Sequence, residues 1–267
     1  MLSCEYDKFA SFYDDFALGY DEDSKFFLSK AQEMSARNIL ELCSGTGRCC
    51  LFLAKGGFKV SGIDSSPEMI RIANKKLQSA ATAKGRFCRP RYYLQNVAEF
   101  DLTTKNFDLA FSTWSSLQHL NLRERQNCYI KVHQHLRERG WLIIDESLRT
   151  EEELSGHSKK HFLWKIRPCF LKRGKIYLQY YYDEYDSGGK ALKRTFCQDI
   201  LLPFVPTNRA LDVVRRTVYM EFIQPEKNEN ERMLADAGFQ IKEYIYRDNS
   251  VGTSNERFYL IAEKISA

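Results

Sequence analysis

Asn38-Ile-Leu-Glu-Leu-Cys-Ser-Gly-Thr-Gly-Arg48 decides how this chain is read. An apolar run of strand character, Asn38 to Cys43, ends in a turn holding Gly45 and Gly47, and Arg48 to Lys55 follows with apolar residues at helical spacing. Two glycines let the backbone turn sharply and approach a ligand closely. The helix N-terminus beyond them offers unpaired N–H groups and the positive end of its dipole. A second strand, Lys59 to Asp64, ends on a carboxylate beside that turn, where it can accept both hydroxyls of a ribose. This is the logic of an adenosine-containing cofactor at the carboxyl edge of an α/β sheet.

Working outward, strands and helical segments alternate as in a parallel sheet with crossover helices. Further strands are expected at Tyr92 to Gln95, Phe107 to Thr113 and Trp141 to Asp145, and helices at Pro67 to Ser79 and Leu122 to Arg137. Pro67 suits a first helical position after Ser65 or Ser66 as cap. After Pro225 come a helix from Glu226 to Ala237, stopped by Gly238, and strands at Phe239 to Arg247 and Arg257 to Glu263. The short connection Asp248 to Asn255 makes those two strands antiparallel neighbours. The fold class is therefore α/β, a doubly wound, mixed seven-stranded sheet whose last strand is antiparallel. Tyr6 to Tyr20, aromatic and acidic, is expected to fold over the sheet edge as helix and loop.

Between the two halves of this pattern the rhythm changes. Residues 148–224 read as short β runs rich in aromatics and basic residues: Phe162 to Ile166, Ile176 to Tyr182 and Val213 to Phe222. Hairpin turns are expected at Lys172-Arg-Gly-Lys175 and Asp186-Ser-Gly-Gly-Lys190. The expected organisation is thus 1–147 with 225–267 as the cofactor-binding α/β domain and 148–224 as an antiparallel β insertion, a lid, substrate or dimer region.

Composition narrows the class. The chain has 267 residues, and 40 Lys and Arg against 35 Asp and Glu give a net charge of +5, mild beside the clustered basicity of most nucleic-acid binders. Its 8 Cys show no repeated C-x-x-C spacing, which favours reduced thiols over zinc or disulfides; no metal is expected. No stretch approaches the ~18 apolar residues of a membrane span. A cytoplasmic protein, monomer or homodimer, is expected.

Two cofactor classes compete for the glycine turn. The nicotinamide fingerprint G-x-G-x-x-G would need a third glycine, but Cys50 stands there. Ile39-Leu-Glu-Leu-Cys-Ser-Gly-Thr-Gly-Arg48 resembles the first motif of class I S-adenosylmethionine-dependent methyltransferases, and Ser61-Gly-Ile-Asp-Ser-Ser-Pro-Glu-Met69 their second. Phe107-Asp-Leu-Ala-Phe-Ser112 resembles the fourth motif. Leu136 to Ile144 resembles the junction into the fifth strand, and Leu234 to Phe239 the late helix and strand. The resemblance covers nearly the whole chain outside the insertion and implies a Rossmann-like fold with S-adenosyl-L-methionine as cofactor.

Carried over by position, the resemblance implies that Glu41 orients the turn and that Gly45 and Gly47 face the methionine and ribose parts. It implies also that Asp64 takes the ribose hydroxyls and that Ser65 or Met69 borders the adenine, with Cys43, Val97 and Ser112 lining the cofactor. Asn96 stands where the family usually has Asp, and accepts from the adenine amino group only through its amide oxygen. Tyr13 is similar to an N-terminal Tyr that covers the methionine end in several small-molecule members. The acceptor is expected after the fourth strand, among Thr113, Trp114, Ser115, Ser116, Gln118 and His119. His119 is the first candidate for a general base, with Tyr13 and Tyr219 behind it. The competing assignment for His119 is packing or capping of this segment, and for His133 and His135 a solvated or structural place on a surface helix.

Pro168-Cys169 resembles the nucleophile dipeptide of cytosine-C5 methyltransferases, but lies in the insertion rather than after the fourth strand. An antiparallel insertion after the fifth strand resembles the small-molecule N- and O-methylating branch, including enzymes of amino sugars and small amines. Trp164, Tyr180, Tyr182 and Tyr219 could line a pocket there, although Tyr180 and Tyr182 share a strand face with Leu178 in a pattern of plain packing. Against this stands an RNA or protein methyltransferase that uses the basic run Lys159, Lys160, Lys165, Arg167, Lys172, Arg173 and Lys175 interleaved with aromatics. A third reading is a non-catalytic cofactor-binding or interaction protein.

Overall fold

The structure, a computed structural model, describes residues 5–17, 21–80, 87–148, 160–167, 176–185, 191–201, 213–223, 225–247 and 256–265. The chain divides into two compact units, residues 1–155 with 225–267, and residues 156–224.

In the first unit the helices α1 (Glu5–Phe16) and α2 (Glu22–Glu33) precede the alternating core: β1 (Asn38–Leu42), α3 (Arg48–Lys55), β2 (Lys59–Asp64), α4 (Pro67–Ala80), β3 (Arg91–Leu94), β4 (Phe107–Ser112), α5 (Leu122–His135) and β5 (Leu136–Leu148). The seven-stranded sheet is completed by β10 (Phe239–Tyr246) and β11 (Glu256–Lys264), near the C-terminus, and has the order β10-β11-β5-β4-β1-β2-β3. β1 to β5 run parallel where they pair, and β11 is antiparallel to both β5 and β10. The strand order reverses at β1, between β4 and β2, and such a switch point opens a crevice at the carboxyl ends of the strands.

A parallel strand covered on both faces reads as a continuous apolar run, and β1 does: Ile39, Leu40 and Leu42 are fully buried. Two core clusters follow. One, around Leu40, Leu42, Ile144, Phe107 and Tyr129, includes residues of α5; the other, around Ile39, Phe111, Ile143 and Phe27, includes α2 and α3. α5 starts on a capping box: Glu124 N–H donates to Asn121 Oδ1 at 2.9 Å and Asn121 N–H to Glu124 Oε2 at 3.0 Å.

The second unit is a four-stranded antiparallel sheet, β6 (Lys160–Arg167), β7 (Ile176–Tyr185), β8 (Ala191–Leu201) and β9 (Val213–Ile223), paired in chain order. After it come α6 (Lys227–Asp236), β10 (Phe239–Tyr246) and β11 (Glu256–Lys264). The expected strand boundaries hold to within a few residues, with three additions. α2 and β8 were not expected, because α2 mixes charged and apolar residues without a sharp stripe and β8 groups its polar residues as Lys193-Arg-Thr195 and Gln198-Asp199 rather than alternating them. β5 begins at Leu136, not Trp141, since a register shift against β4 and the left-handed Arg139 absorb the extra residues before Gly140. The expected hairpin turns at 172–175 and 186–190, the connection 248–255, Pro168-Cys169, Lys159, and the side chains of Trp164, Tyr180 and Tyr182 and of Lys160, Lys165 and Arg167 lie outside the described residues.

Cys43, Cys49, Cys50, Cys88, Cys128 and Cys197 are free thiols. Among the described residues no helix is long and apolar enough to cross a membrane, and no cluster of His, Cys, Asp and Glu could hold a metal ion.

Candidate active site

The turn after β1 alternates left-handed residues: Cys43 at φ 52°, Gly45 at 54° and Gly47 at 72°. At Gly47 the requirement for glycine is double, because a Cβ would collide with the Tyr92 hydroxyl as well as strain the backbone. At Gly45 a Cβ would instead be in ordinary contact, its nearest neighbours Met69 Sδ and the Tyr13 ring, each at 3.9 Å. Tyr13 and Met69 therefore flank the turn.

Asp64 fixes this turn to β2. Its Oδ2 accepts from Gly45 N–H at 2.8 Å and its Oδ1 from Ser66 N–H at 2.8 Å, which leaves one lone pair on each oxygen for a further donor. Burial raises its carboxyl to about 6, against the lowering effect of the two amides. Ser66, rather than Ser65, caps α4, since its hydroxyl accepts from Met69 N–H at 3.1 Å; Ser65 is exposed. Glu41 is buried on β1, and its Oε2 has no hydrogen-bond partner. Burial pushes its carboxyl up to about 8, with the Cys50 thiol and Arg48 opposing. Ser112 Oγ, fully buried at the end of β4, is likewise unpartnered. Val97 is buried in the core, whereas Asn96 is exposed with its Oδ1 accepting from Ala98 N–H at 2.9 Å.

α1 closes over this edge. Tyr6, Phe9 and Tyr13 fall at i, i+3 and i+7 and so share one helix face. Tyr13 lies 5.6 Å from the Trp114 ring, and burial drives its phenol well above its ordinary range. Asp14 accepts from Thr46 Oγ1 at 2.6 Å and from Lys76 Nζ at 2.8 Å, and Asp7 accepts from the Ser66 hydroxyl. Helix α1 is thereby tied to the glycine turn and to both ends of α4. These acids, with Lys76, were not expected to belong to the site; the i, i+3, i+7 aromatic spacing was the signal that could have placed α1.

The segment after β4 is built under strain. Trp114 and Ser115 are both left-handed, at φ 56° and 53°, a conformation that costs non-glycine residues on the order of 1–3 kcal/mol each. Asp145 holds the first, its Oδ2 accepting from Trp114 N–H at 2.8 Å. The Trp114 ring also lies under the Arg48 guanidinium, 5.2 Å from its centroid, and Arg48 is in turn bound to the fully buried Asp23. A 3₁₀ turn, Ser116–His119, follows. Gln118 faces inward, its amide donating to Glu146 Oε1 at 2.6 Å, and Glu146 Oε2 accepts from the buried Arg125 at 2.6 Å. His119 is half-buried, and its Nε2 shares a 2.6 Å hydrogen bond with Tyr6 Oη.

The structure therefore brings Tyr13, Glu41, Gly45, Gly47, Asp64 and Met69 to one edge, with Trp114, Ser115 and His119 beside them and Cys43 and Ser112 at the ends of β1 and β4. Tyr219 lies on β9 of the second unit, 64% exposed. His135 is not a solvated helix residue: it is buried, its Nε2 accepting from Leu102 N–H at 3.0 Å.

These residues fit S-adenosylmethionine. The cradle over Gly45 is what a Cβ would fill, Asp64 keeps an acceptor site on each oxygen for a ribose diol, and the buried Glu41 Oε2 has no hydrogen-bond partner among the described residues. Residues 39–140 match the model of a methyltransferase domain. A provisionally named methyltransferase of Geobacillus sp. (strain WCH70) is 23% identical over 275 residues, spanning 97% of this chain and 99% of that protein. Among solved structures, an amino pentose methyltransferase from Micromonospora echinaspora with bound S-adenosylmethionine has a TM-score of 0.72 at 15% identity, covering 96% of both chains. A sugar N-methyltransferase from Streptoalloteichus sp ATCC 53650 has a TM-score of 0.69 at 19% identity, covering 95% of this chain and 93% of its own. The methyltransferase-domain match over 39–140, the relatives and the fold together support an S-adenosylmethionine-dependent methyltransferase with the class I architecture. Its similarity to the two sugar-modifying enzymes is one of fold.

Proposed function

We propose that the enzyme methylates a nitrogen or oxygen of a small-molecule acceptor, an amino sugar or small amine before others, positioned by Trp114, Ser115 and His119. The observation that carries this reading is the Tyr6–His119 hydrogen bond beside the strained turn after β4. It fixes an imidazole next to the cofactor edge rather than deep in the core. The likeness to the amino pentose and sugar N-methyltransferases supports the acceptor class.

S-adenosylmethionine, when bound, supplies a methyl group that its sulfonium already makes electrophilic. The chain's residues then have three tasks. Asp64 and the turn at Gly45 and Gly47 hold the nucleoside end, and Asn96 and Met69 border the adenine. Tyr13 and α1, latched by Asp14 and Asp7, exclude water from the methionine end. Trp114 and Ser115 align the acceptor, where orientation supplies most of the rate, and the His119 imidazole takes the acceptor's proton, its ring steered by the Tyr6 hydroxyl at Nε2. Tyr13 is the second candidate for contact with the acceptor heteroatom.

The test is release of S-adenosylhomocysteine across a panel of amino sugars, amines and phenols. Turnover with a small amine that depends on His119 supports the reading. Turnover only with RNA or a protein overturns it.

A further inference from the structure

Asp145 stands at the carboxyl end of β5, fully buried, and two arginines converge on it. Arg247, at the end of β10, reaches Oδ2 at 3.4 Å, and Arg257, on β11, reaches Oδ1 at 3.7 Å. β10 and β11 are bound together here, Arg247 N–H donating to Arg257 C=O at 2.8 Å. One carboxylate therefore faces two guanidiniums. The third contact of Asp145 is the Trp114 amide, so the arginines are tied to the segment that would align the acceptor.

The two arginines are not equivalent. Arg247 lies over the Tyr259 ring at 5.0 Å and its side chain is 17% exposed. Arg257 is 31% exposed and meets Asp145 at a distance beyond hydrogen bonding. A guanidinium presents five donors in a rigid fork that suits a carboxylate or phosphate bidentately.

We infer that Arg257, seconded by Arg247, forms an anion subsite for the acceptor, so that the preferred acceptor carries a carboxylate or phosphate besides its methylated amine or hydroxyl. This rests on the acceptor region proposed above and adds the charge class. Asp145 holds the arginines in place and ties them through Trp114 to the acceptor turn.

Two measurements test it. Inorganic phosphate titrated by calorimetry into the S-adenosylhomocysteine-loaded protein binds to the wild type, binds roughly ten- to a hundredfold more weakly to Arg257→Gln, the range of one lost charge-assisted hydrogen bond, and partly recovers in Arg257→Lys. Absence of phosphate binding, or binding unchanged in Arg257→Gln, overturns the subsite even if no acceptor is ever methylated. The second measurement compares matched acceptors, glucosamine against glucosamine 6-phosphate and tyramine against tyrosine. The member that carries the phosphate or carboxylate has the higher kcat/KM, and Arg257→Gln narrows that preference. Methylation only of members without the anionic group overturns the subsite and leaves the proposed function standing, whereas failure of all small acceptors with phosphate still bound at Arg257 sinks the proposed function instead. A variant whose loss falls on KM for S-adenosylmethionine places the arginines on the cofactor and also overturns the inference. A thermal melt close to wild type confirms that Arg257→Gln folds.

Discussion

The cofactor edge and the proposed acceptor edge of this sheet are built differently. The backbone of the cofactor turn is set by contacts short in sequence, Gly45 held by Asp64 and Asp64 by Ser66 within one β-α-β unit, and its cover, α1, comes from farther away. Around the acceptor, the same few ångströms draw on Tyr6, Asp23, Trp114, Asp145 and Arg257, from both ends of the chain. The first kind of site is set by local backbone geometry and varies little. The second is assembled by tertiary packing and can change one contributor at a time, which is how one cofactor scaffold serves many acceptors.

The largest effect that would sharpen this contrast is expected at the turn. Gly45→Val sets side-chain atoms against Tyr13 and Met69 and forces a branched residue to φ 54°. Cofactor binding should vanish in calorimetry while circular dichroism keeps the native signal; retained binding would break the assignment of the turn.

Next comes the acceptor edge. His119→Ala is expected to lower turnover by about 10²–10⁴, the usual contribution of a general base, with cofactor affinity unchanged. An equal loss of thermal stability and of affinity would show that His119 only packs its segment.

A network inside the acceptor edge gives a stability effect. Arg125→Ala leaves Glu146 a buried charge without its partner and should cost about 3–5 kcal/mol in denaturant unfolding. A cost near zero would mean that the Gln118–Glu146–Arg125 chain does not hold the 3₁₀ turn.

The smallest effect is a pH dependence. Because burial raises the folded-state carboxyl of Glu41 to about 8, its contribution to stability is full below the usual carboxylate range and lost as pH rises through 8. The melting temperature of the cofactor-free protein should therefore fall between pH 5 and 9 (roughly the window these values set), and Glu41→Gln should flatten that slope. An unchanged slope would show that Glu41 is already balanced.

Much of the cofactor edge could be read before folding, and the reason is physical. A glycine pair at left-handed φ, an acid closing the next strand and a proline opening α4 are each dictated by residue type at a fixed position. The alternation of apolar strands and helices in 38–144 is likewise a direct imprint of a sheet covered on both faces. Residues whose role depends on distant partners were not legible. Arg48 reads as an ordinary first-turn helix residue until Asp23 and Trp114 are placed around it. Asp145 ends an apolar strand much as Asp64 does, yet nothing nearby in sequence shows that two arginines about a hundred residues later would meet it (roughly the separation across the insertion). His135 has the pattern of a surface position, and only the fold shows Leu102 donating to it. The acceptor edge is hidden for the reason that makes it adaptable.

The central claim is that Asp64 and the glycine turn hold the nucleoside of the cofactor. Calorimetric titration of S-adenosylmethionine into the wild type and Asp64→Ala, each at pH 8 and below pH 6, tests it most directly. At pH 8 the variant should bind about ten- to a hundredfold more weakly for each charge-assisted hydrogen bond lost. The wild type alone should weaken as pH falls through about 6, where the Asp64 carboxylate takes up a proton. Equal affinity of the two proteins at pH 8, or the same pH dependence in both, would contradict the account.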